Sequence, residues 1–140
     1  MSTINPAQLV KEAIAVTAHS YSPYSKFRVG AALLSRDGRI FLGTNIENAS
    51  YGLTMCAERV AFGAAIAAGA REFDAIAIVA SGDTPPLPCG ACRQVMVEFC
   101  QGDLTVLLAS LNMPGAIQTH RLDSLLPHAF SLNTKPQSTG

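Results

Sequence analysis

Apolar positions spaced three or four residues apart predict three long helices in this chain. Asn5 followed by Pro6 is typical of a helix cap and first turn, and the apolar face that follows extends to about His19. An alanine-rich stretch at residues 55–70 predicts the second helix, and a stretch at residues 89–101 predicts the third.

Short apolar runs bounded by turn residues predict four strands between and after these helices. The first two runs, at residues 27–34 and 40–45, flank an Asp-Gly pair at residues 37–38 that is typical of a hairpin turn. The runs at residues 75–80 and 104–109 are short and almost wholly apolar, as expected for buried strands. This order of elements predicts an α/β fold: a single three-layer α/β/α domain with a mixed central sheet.

The pattern is weaker in the C-terminal part of the chain. A Pro-Gly pair at residues 114–115 predicts a turn, which is followed by a weak segment at residues 116–120 and a short helix around residues 123–126. The remainder is mostly polar. We therefore expect a domain at residues 1–130 and a flexible tail at residues 131–140.

The composition excludes several classes of partner. The chain has 140 residues, of which 49% are hydrophobic and only 14% are charged. No apolar run reaches the ~18 residues needed to span a membrane, so the surplus apolar surface is expected to form subunit interfaces. Ten basic and ten acidic residues balance to a formal net charge of +0 without a basic stripe. We therefore expect no nucleic acid polymer as a partner.

The N-terminus and the cysteine count indicate a cytoplasmic protein. Residues 1–5 lack the basic and apolar regions of a signal peptide. The four cysteines of such a chain are expected to bind metal or to stay reduced rather than to form disulfides.

Three cysteines and one glutamate form a pattern typical of a zinc site. Cys89 and Cys92 make a C-x-x-C pair after a proline, and Cys56 precedes Glu58 by two residues. Three thiolates leave one coordination position of zinc open for water, and an adjacent carboxylate can move protons to and from that water. The pattern predicts one Zn²⁺ per chain in a hydrolytic site rather than in a closed structural one.

Helix geometry constrains this site. Residues two apart in a regular helix point roughly 200° away from each other. Cys56 and Glu58 therefore converge only if Cys56 is a helix cap with non-helical dihedrals, which leaves the Ala57 N–H beside the metal. Cys100 lies roughly 12 Å along a regular helix from Cys92, too far for a fourth ligand, and is expected to be a buried apolar residue. A metal-free core role for all four cysteines is the alternative interpretation.

Two arginines directly follow residues of the predicted site. Arg59 follows Glu58, and Arg93 follows Cys92. Three thiolates on Zn²⁺ leave a net negative charge, which a guanidinium that donates to sulfur would offset. A solvated surface position is an equally good interpretation of both arginines.

The sequence around these residues resembles the cytidine deaminase family. C-A-E at residues 56–58 and P-C-G-A-C-R-Q at residues 88–94 are similar to the family's zinc signature, with cysteine as the first ligand as in its short, homotetrameric members. One departure is His128, where many members have glycine. Three further stretches carry the resemblance over nearly the whole chain: S-P-Y-S-K-F-R-V-G-A-A-L at 22–33, N-I-E-N-A-S-Y-G at 45–52 and L-L-P-H-A-F at 125–130.

The resemblance implies a reaction and a set of site residues. The reaction is hydrolytic deamination of cytidine and 2′-deoxycytidine at C4 by zinc-activated water, with release of ammonia, in pyrimidine salvage. Glu58 would shuttle the protons, and Cys56, Cys89 and Cys92 would hold the zinc. The residues implied to contact the nucleoside are Phe27, Asn45, Glu47 and Ala57 of one subunit and, reaching from a neighbour in a homotetramer, Tyr51 and Phe130.

Each implied contact has a simpler alternative. Phe27 could be a core residue, and Asn45 and Glu47 could be a turn residue and a solvated charge. Tyr51 and Phe130 are aromatic residues that could pack anywhere. The amide and the carboxylate are nevertheless a pair suited to the hydroxyl groups of a sugar.

Three other functions share parts of the pattern. A polynucleotide-editing deaminase would use the same zinc chemistry but should have a basic, aromatic channel, which the neutral charge and the absence of tryptophan disfavour. A deaminase of a nucleoside-like antibiotic is disfavoured by Asn45 and Glu47 and remains an alternative. A non-enzymatic, zinc-stapled binding module would need a closed metal shell and no adjacent glutamate.

Overall fold

Five strands form one mixed sheet in the computed structural model, which describes residues 4–132 of the chain. Three longer helices and one short helix surround the sheet. In chain order the elements are α1 (Pro6–Val16), β1 (Val29–Ser35), β2 (Ile40–Thr44), α2 (Ala57–Ala67), β3 (Phe73–Ala80), α3 (Gly90–Phe99), β4 (Thr105–Ser110), β5 (Met113–Arg121) and α4 (Leu122–Leu125).

The strand order is β2-β1-β3-β4-β5, and only one neighbouring pair is parallel. β1 runs antiparallel to β2 and to β3, β4 runs antiparallel to β5, and β3 and β4 are parallel. A parallel pair needs a crossover connection, which α3 supplies. The segment that carries the C-x-x-C pair therefore starts where β3 leaves the sheet.

Alternating side chains of the strands fill two separate cores, which gives the predicted three layers. One core packs residues such as Leu33, Ile78 and Leu108 against α2 and α3. The other core packs the opposite face of the sheet against α1 through residues that include Leu9 and Val10. No helix within residues 4–132 is long and apolar enough to cross a membrane.

The N-terminal predictions are confirmed with small shifts of boundary. Asn5 caps α1 by accepting a hydrogen bond from the Gln8 N–H, and the helix ends in a 3₁₀ turn that reaches His19. β1 begins at Val29, two residues later than the pattern predicts. Lys26, three residues before β1, has a φ of 61°, outside the β region, so a regular strand cannot include it.

The predicted turn at residues 114–115 is wrong. Both residues lie within β5, together with the weak segment at 116–120, and the chain reverses at residues 111–112 instead. β5 is an edge strand of the sheet, where a proline without an N–H removes no necessary ladder bond. Most of the predicted tail, residues 133–140, lies outside the described residues.

A glycine of β2 sets how closely α2 approaches the sheet. A Cβ atom at Gly43 would lie 2.3 Å from the Ala57 carbonyl oxygen and 2.5 Å from the Ala61 nitrogen. Both are backbone atoms of α2, so neither can move without moving the helix. The first turns of α2 therefore rest directly on the β2 backbone.

We predict that Gly43→Ala destabilises the protein by about 1–3 kcal/mol, because the added methyl group forces α2 away from the sheet. Urea unfolding of the wild type and the variant measures this difference. Gly115→Ala is the matched control: a Cβ there meets nothing within 4 Å, and its effect should stay within about 0.5 kcal/mol. Equal stabilities of the two variants would contradict the close approach.

Candidate functional site

The first turns of α2 and α3 bring three thiols together. Cys56 is the N-cap of α2 with φ −78° and ψ 149°, so the predicted non-helical cap is confirmed. Cys89 is the N-cap of α3 with φ −67° and ψ 165°, and its sulfur accepts a hydrogen bond from the Cys92 N–H at 3.4 Å. The three Sγ atoms lie within 4.8 Å of one another.

The donor set and its spacing fit a zinc ion. Three sulfurs at the usual ~2.3 Å from tetrahedral zinc would be ~3.8 Å from one another, and the Sγ atoms of Cys89 and Cys92 are already 3.3 Å apart. Cys100 does not belong to this group, and burial raises the pKa of its thiol. Within the described residues the group offers three ligands, which leaves the fourth position of a tetrahedral ion open.

Glu58 places a buried carboxyl beside the three thiols. It is the second residue of α2, and only 5% of its surface is exposed. Burial raises the pKa of this carboxyl, and the negative charge of a Cys56 thiolate raises it further. The carboxyl is thus adapted to hold a proton in the metal-free protein.

Arg59 donates toward the Cys56 sulfur. Its Nη2 atom lies 3.5 Å from Cys56 Sγ and 3.5 Å from the Thr54 carbonyl oxygen, and its buried Nε has no hydrogen-bond partner among residues 4–132. Hydrogen bonds from the Cys92 thiol and then from Arg59 lower the pKa of Cys56 to about 5. The sulfur-donor interpretation of Arg59 therefore agrees with its geometry.

Arg93 contacts two backbone carbonyl groups rather than a sulfur. Its Nε donates to the Pro88 oxygen at 2.7 Å, and its Nη1 donates to the Leu125 oxygen at 2.6 Å. The side chain is partly buried by these contacts. Neither interpretation drawn from the sequence, a sulfur donor or a solvated surface residue, describes it.

Asn45 organises the backbone that precedes β1. Its Nδ2 donates to the Phe27 carbonyl oxygen at 2.8 Å, and its Oδ1 accepts from the Val29 N–H at 3.0 Å and from the Ser20 hydroxyl. The residue is buried at the end of β2. Its amide therefore fixes the backbone at residues 27 and 29, where β1 begins to pair with β3.

Glu47 holds the adjacent loop through its carboxylate. One oxygen accepts from the N–H groups of Tyr24 and Ser25 at 3.0 and 3.2 Å, and the other accepts from the Ser25 hydroxyl. The Ser25 hydroxyl oxygen in turn accepts from the Phe27 N–H at 3.0 Å. The Ser25 hydroxyl is the main cause of a lowered pKa at Glu47.

Ser25 is a residue of this loop for which the sequence predicts no role. It links Glu47 to Phe27, and so connects two residues that the resemblance implies for different parts of the ligand. Its position inside the stretch at residues 22–33 was the only available signal. A serine at a turn is too common a feature to be assigned such a contact from sequence.

A short β-bridge joins this loop to the cysteine cluster. Ile46 and Met55 exchange two backbone hydrogen bonds of 3.0 and 2.9 Å. Ile46 lies between Asn45 and Glu47, and Met55 immediately precedes Cys56. The loop and the thiols are therefore parts of one continuous site.

Tyr51 and Phe130 are not brought to the cysteines by any described contact. Their side chains are 78% and 68% exposed, whereas Phe27 is 45% exposed and approaches Gly82, in the segment after β3. Ala57, by contrast, is the first residue of α2, where an N–H has no partner within the helix. The structure thus gathers the predicted metal, acid and loop residues and leaves these two rings outside.

Comparisons with known proteins identify one family. Residues 4–108 match the family model described as "Cytidine and deoxycytidylate deaminase zinc-binding region". A cytidine deaminase of Halalkalibacterium halodurans is 54% identical over 88% of this chain and 92% of its own length. A cytidine deaminase of Sporosarcina psychrophila is 50% identical over 89% of this chain and 90% of its own.

Solved structures agree with this assignment. The crystal structure of a cytidine deaminase from Burkholderia pseudomallei has a TM-score of 0.86 and 47% identity, and the match covers 91% of this chain and all of that one. The cytidine deaminase structure from Mycobacterium tuberculosis has a TM-score of 0.81 and 38% identity, and covers 93% of this chain and 100% of that one.

We predict that Glu58→Gln stabilises the zinc-free protein at pH 8. The pKa of Glu58 is raised on folding, so the folded state favours the neutral acid, and this advantage is lost as the pH rises through the folded pKa. Wild type should lose roughly 1.4 kcal/mol for each pH unit between the unfolded and folded pKa values. A glutamine stays neutral throughout.

Urea unfolding of chelator-treated protein at pH 4 and at pH 8 measures this difference. The gain of Glu58→Gln should be present at pH 8 and absent at pH 4, below the ordinary carboxyl pKa. Glu12→Gln, on the exposed side of α1, is the matched control and should change little at either pH. An equal stability of Glu58→Gln and wild type at pH 8 would contradict the buried, destabilised carboxylate.

Proposed function

Because the chain belongs to the cytidine and deoxycytidylate deaminase family, we propose that it hydrolyses cytidine and 2′-deoxycytidine to uridine and 2′-deoxyuridine with release of ammonia. The observation that carries this proposal is the convergence of three thiols and one buried carboxyl at the start of α2. A role in pyrimidine salvage in the cytoplasm is the biological setting that we infer.

The residues proposed to hold zinc are Cys56, Cys89 and Cys92. Zinc bound there supplies Lewis-acid activation of water at neutral pH. Arg59 offsets part of the negative charge of the thiolates through its contact with Cys56. A closed structural site would need a fourth protein ligand, and the group found within residues 4–132 has three.

Glu58 is the proposed proton carrier. Its carboxylate accepts a proton from the attacking water and delivers it to N3 of the pyrimidine ring. It then carries a proton to the amine that leaves C4, so that ammonia departs. Its burial supports this role, because burial raises the pKa of the carboxyl and so favours the form that carries the proton.

Asn45 and Glu47 have one hydrogen-bonding position each to offer a ligand. The described contacts use both lone pairs of Asn45 Oδ1 and one of its two amide hydrogens. They use three of about four lone-pair positions on the Glu47 carboxylate. One amide hydrogen and one acceptor position match a single hydroxyl group, and both proposed substrates present one at the 3′ position.

Phe27 and Ala57 complete the proposed nucleoside contacts. The partly exposed ring of Phe27 offers an apolar face for the base. The N–H of Ala57, the first residue of α2, has no partner within the helix and would donate a hydrogen bond to a carbonyl oxygen of the base. Four segments of the chain would thus bind one small molecule.

A homotetramer is the proposed assembly. Exposed positions of α2 are small and uncharged, among them Gly63, Ala64 and Ala67, and would allow helices of neighbouring subunits to pack closely. The exposed rings of Tyr51 and Phe130 would contact nucleoside in the site of a neighbour. Large apolar side chains exposed on one subunit support an interface of this kind; they include Leu53 and Leu87.

We predict that the purified, zinc-quantified protein removes the absorbance band of cytidine and of 2′-deoxycytidine. Glu58→Gln should retain one zinc per chain and lose about 10²–10⁴-fold in kcat, because glutamine cannot accept and return the protons. Cys92→Ala should lose both zinc and turnover, whereas Cys100→Ser should keep both. Bound zinc without turnover of either nucleoside would reject the proposal in favour of another small substrate or a structural metal.

We predict that Ala64→Glu disrupts the tetramer, because it places a charge on the face of α2 that would be buried between subunits. Sedimentation equilibrium should give a smaller assembly than for wild type. Ala7→Glu, at an exposed position of α1 on the opposite layer, should leave the assembly unchanged. A tetramer that persists in Ala64→Glu would show that α2 is not the interface.

A further inference from the structure

Two consecutive side chains of α3 hold the two ends of the segment at residues 125–130. Arg93 donates to the Leu125 carbonyl oxygen at 2.6 Å, and Gln94 Nε2 donates to the Phe130 carbonyl oxygen at 3.0 Å. They are the first and second residues after Cys92. The proposed reaction gives neither of them a role.

The Arg93 guanidinium also reaches the segment on the other side of the cysteines. Its Nε donates to the Pro88 carbonyl oxygen at 2.7 Å, and Pro88 precedes Cys89. The Arg93 N–H itself donates to the Cys89 carbonyl oxygen at 3.0 Å within the first turn of α3. One planar group therefore joins the turn that carries Cys89 to the last residue of α4.

The beginning of α4 has its own attachment to the core, but its end relies on α3. Leu122 is buried, its N–H donates to the Leu104 oxygen at 3.0 Å, and the Asp123 N–H donates to the Gly102 oxygen at 2.9 Å. Within residues 125–130 the hydrogen bonds to the rest of the fold come from Arg93, at Leu125, and from Gln94, at Phe130. These two side chains therefore hold the two ends of this segment.

The backbone of His128 is strained, so the path of the chain in this segment depends on the contacts of Arg93 and Gln94. Its φ is 55°, in the left-handed region that glycine adopts with least strain. Histidine has a Cβ atom, so it adopts this conformation at a cost that glycine avoids. Contacts from outside the segment must therefore hold the chain reversal between Leu125 and Phe130. Arg93 binds the carbonyl group of its first residue, and Gln94 binds that of its last.

We propose that Arg93 and Gln94 are positioning residues that couple zinc binding at Cys89 and Cys92 to the placement of Phe130. Cys89 and Cys92 would hold zinc in the first turn of α3, and from that turn Arg93 and Gln94 reach the segment 125–130. Coupling between two binding events is reciprocal, so a docked segment also stabilises the turn that binds zinc. The inference rests on the proposed zinc site and does not depend on which nucleoside is the substrate.

The first test is the zinc affinity of Arg93→Met in the full chain, measured by competition with a chromogenic chelator. Methionine has a similar length and donates no hydrogen bond. We expect affinity to fall about tenfold, the lower end of the effect of residues that orient metal ligands. Arg36→Met is the matched control, because Arg36 pairs with Glu72 and Asp74 away from the cysteines; it should bind zinc like wild type.

The second test is hydrogen exchange of the backbone amides of residues 122–126 with and without zinc. In wild type, zinc removal should accelerate exchange there, including at the Leu126 N–H that closes α4 onto Leu122. In Arg93→Met exchange should be fast in both states. Gln94→Met should speed limited cleavage by chymotrypsin after Phe130, whose carbonyl oxygen loses its hydrogen bond, with a smaller effect on zinc affinity.

Wild-type zinc affinity in Arg93→Met, together with wild-type zinc-dependent protection of residues 122–126, would overturn the inference. If Arg93→Met does not fold, Gln94→Met decides, and unchanged cleavage by chymotrypsin after Phe130 would overturn it. Zinc-bound wild type without nucleoside turnover would instead reject the proposed function and leave the coupling intact. The two failures are therefore distinguishable.

Discussion

Thiols from two different helices have to meet at one point, and most of the structure serves that requirement. Cys56 and Cys89 are both N-caps with extended backbone dihedrals, so each sulfur projects from the end of its helix rather than from its side. At α2 the change from extended to helical backbone also turns Glu58 toward the same point. Gly43 fixes the position of this turn by letting α2 touch the backbone of β2, and the crossover between β3 and β4 fixes the start of α3.

This convergence concentrates negative charge in a poorly solvated place. Glu58 and Cys92 are buried, Cys56 is half-buried, and Arg59 is the cation that contacts a sulfur. Burial and the neighbouring Cys56 thiolate raise the pKa of Glu58, so without metal this carboxyl favours its neutral, protonated form. A divalent cation would neutralise the same negative charge by coordinating the thiolates, so its binding free energy would contribute to the stability of the fold. The stability of the fold and the affinity for metal therefore depend on the same cluster of side chains.

Sequence predicted the parts of the fold that depend on local pattern. The two cores follow from alternation within short apolar runs, and the cap at Cys56 followed from the need to bring Cys56 and Glu58 together. Residues 114–115 were misread because an edge strand tolerates proline and glycine, and edge status depends on the strand order of the whole sheet. The contacts of Ser25 and Arg93 could not be predicted from the sequence for a related reason. Arg93, for example, binds a carbonyl group 32 positions away along the chain. Such pairings exist only once the chain is folded.

The loop that supplies Asn45 and Glu47 illustrates how folding prepares the site for a ligand. Most of the hydrogen-bonding capacity of both side chains is used by the protein itself, through the Ser20 and Ser25 hydroxyls and the backbone before β1. These contacts fix both side chains before any ligand arrives, so the entropy of ordering them is lost on folding and not on binding. They also leave so few free positions that a second hydroxyl could bind only by displacing a protein group. The same hydrogen bonds that hold the loop thus limit what the loop can recognise.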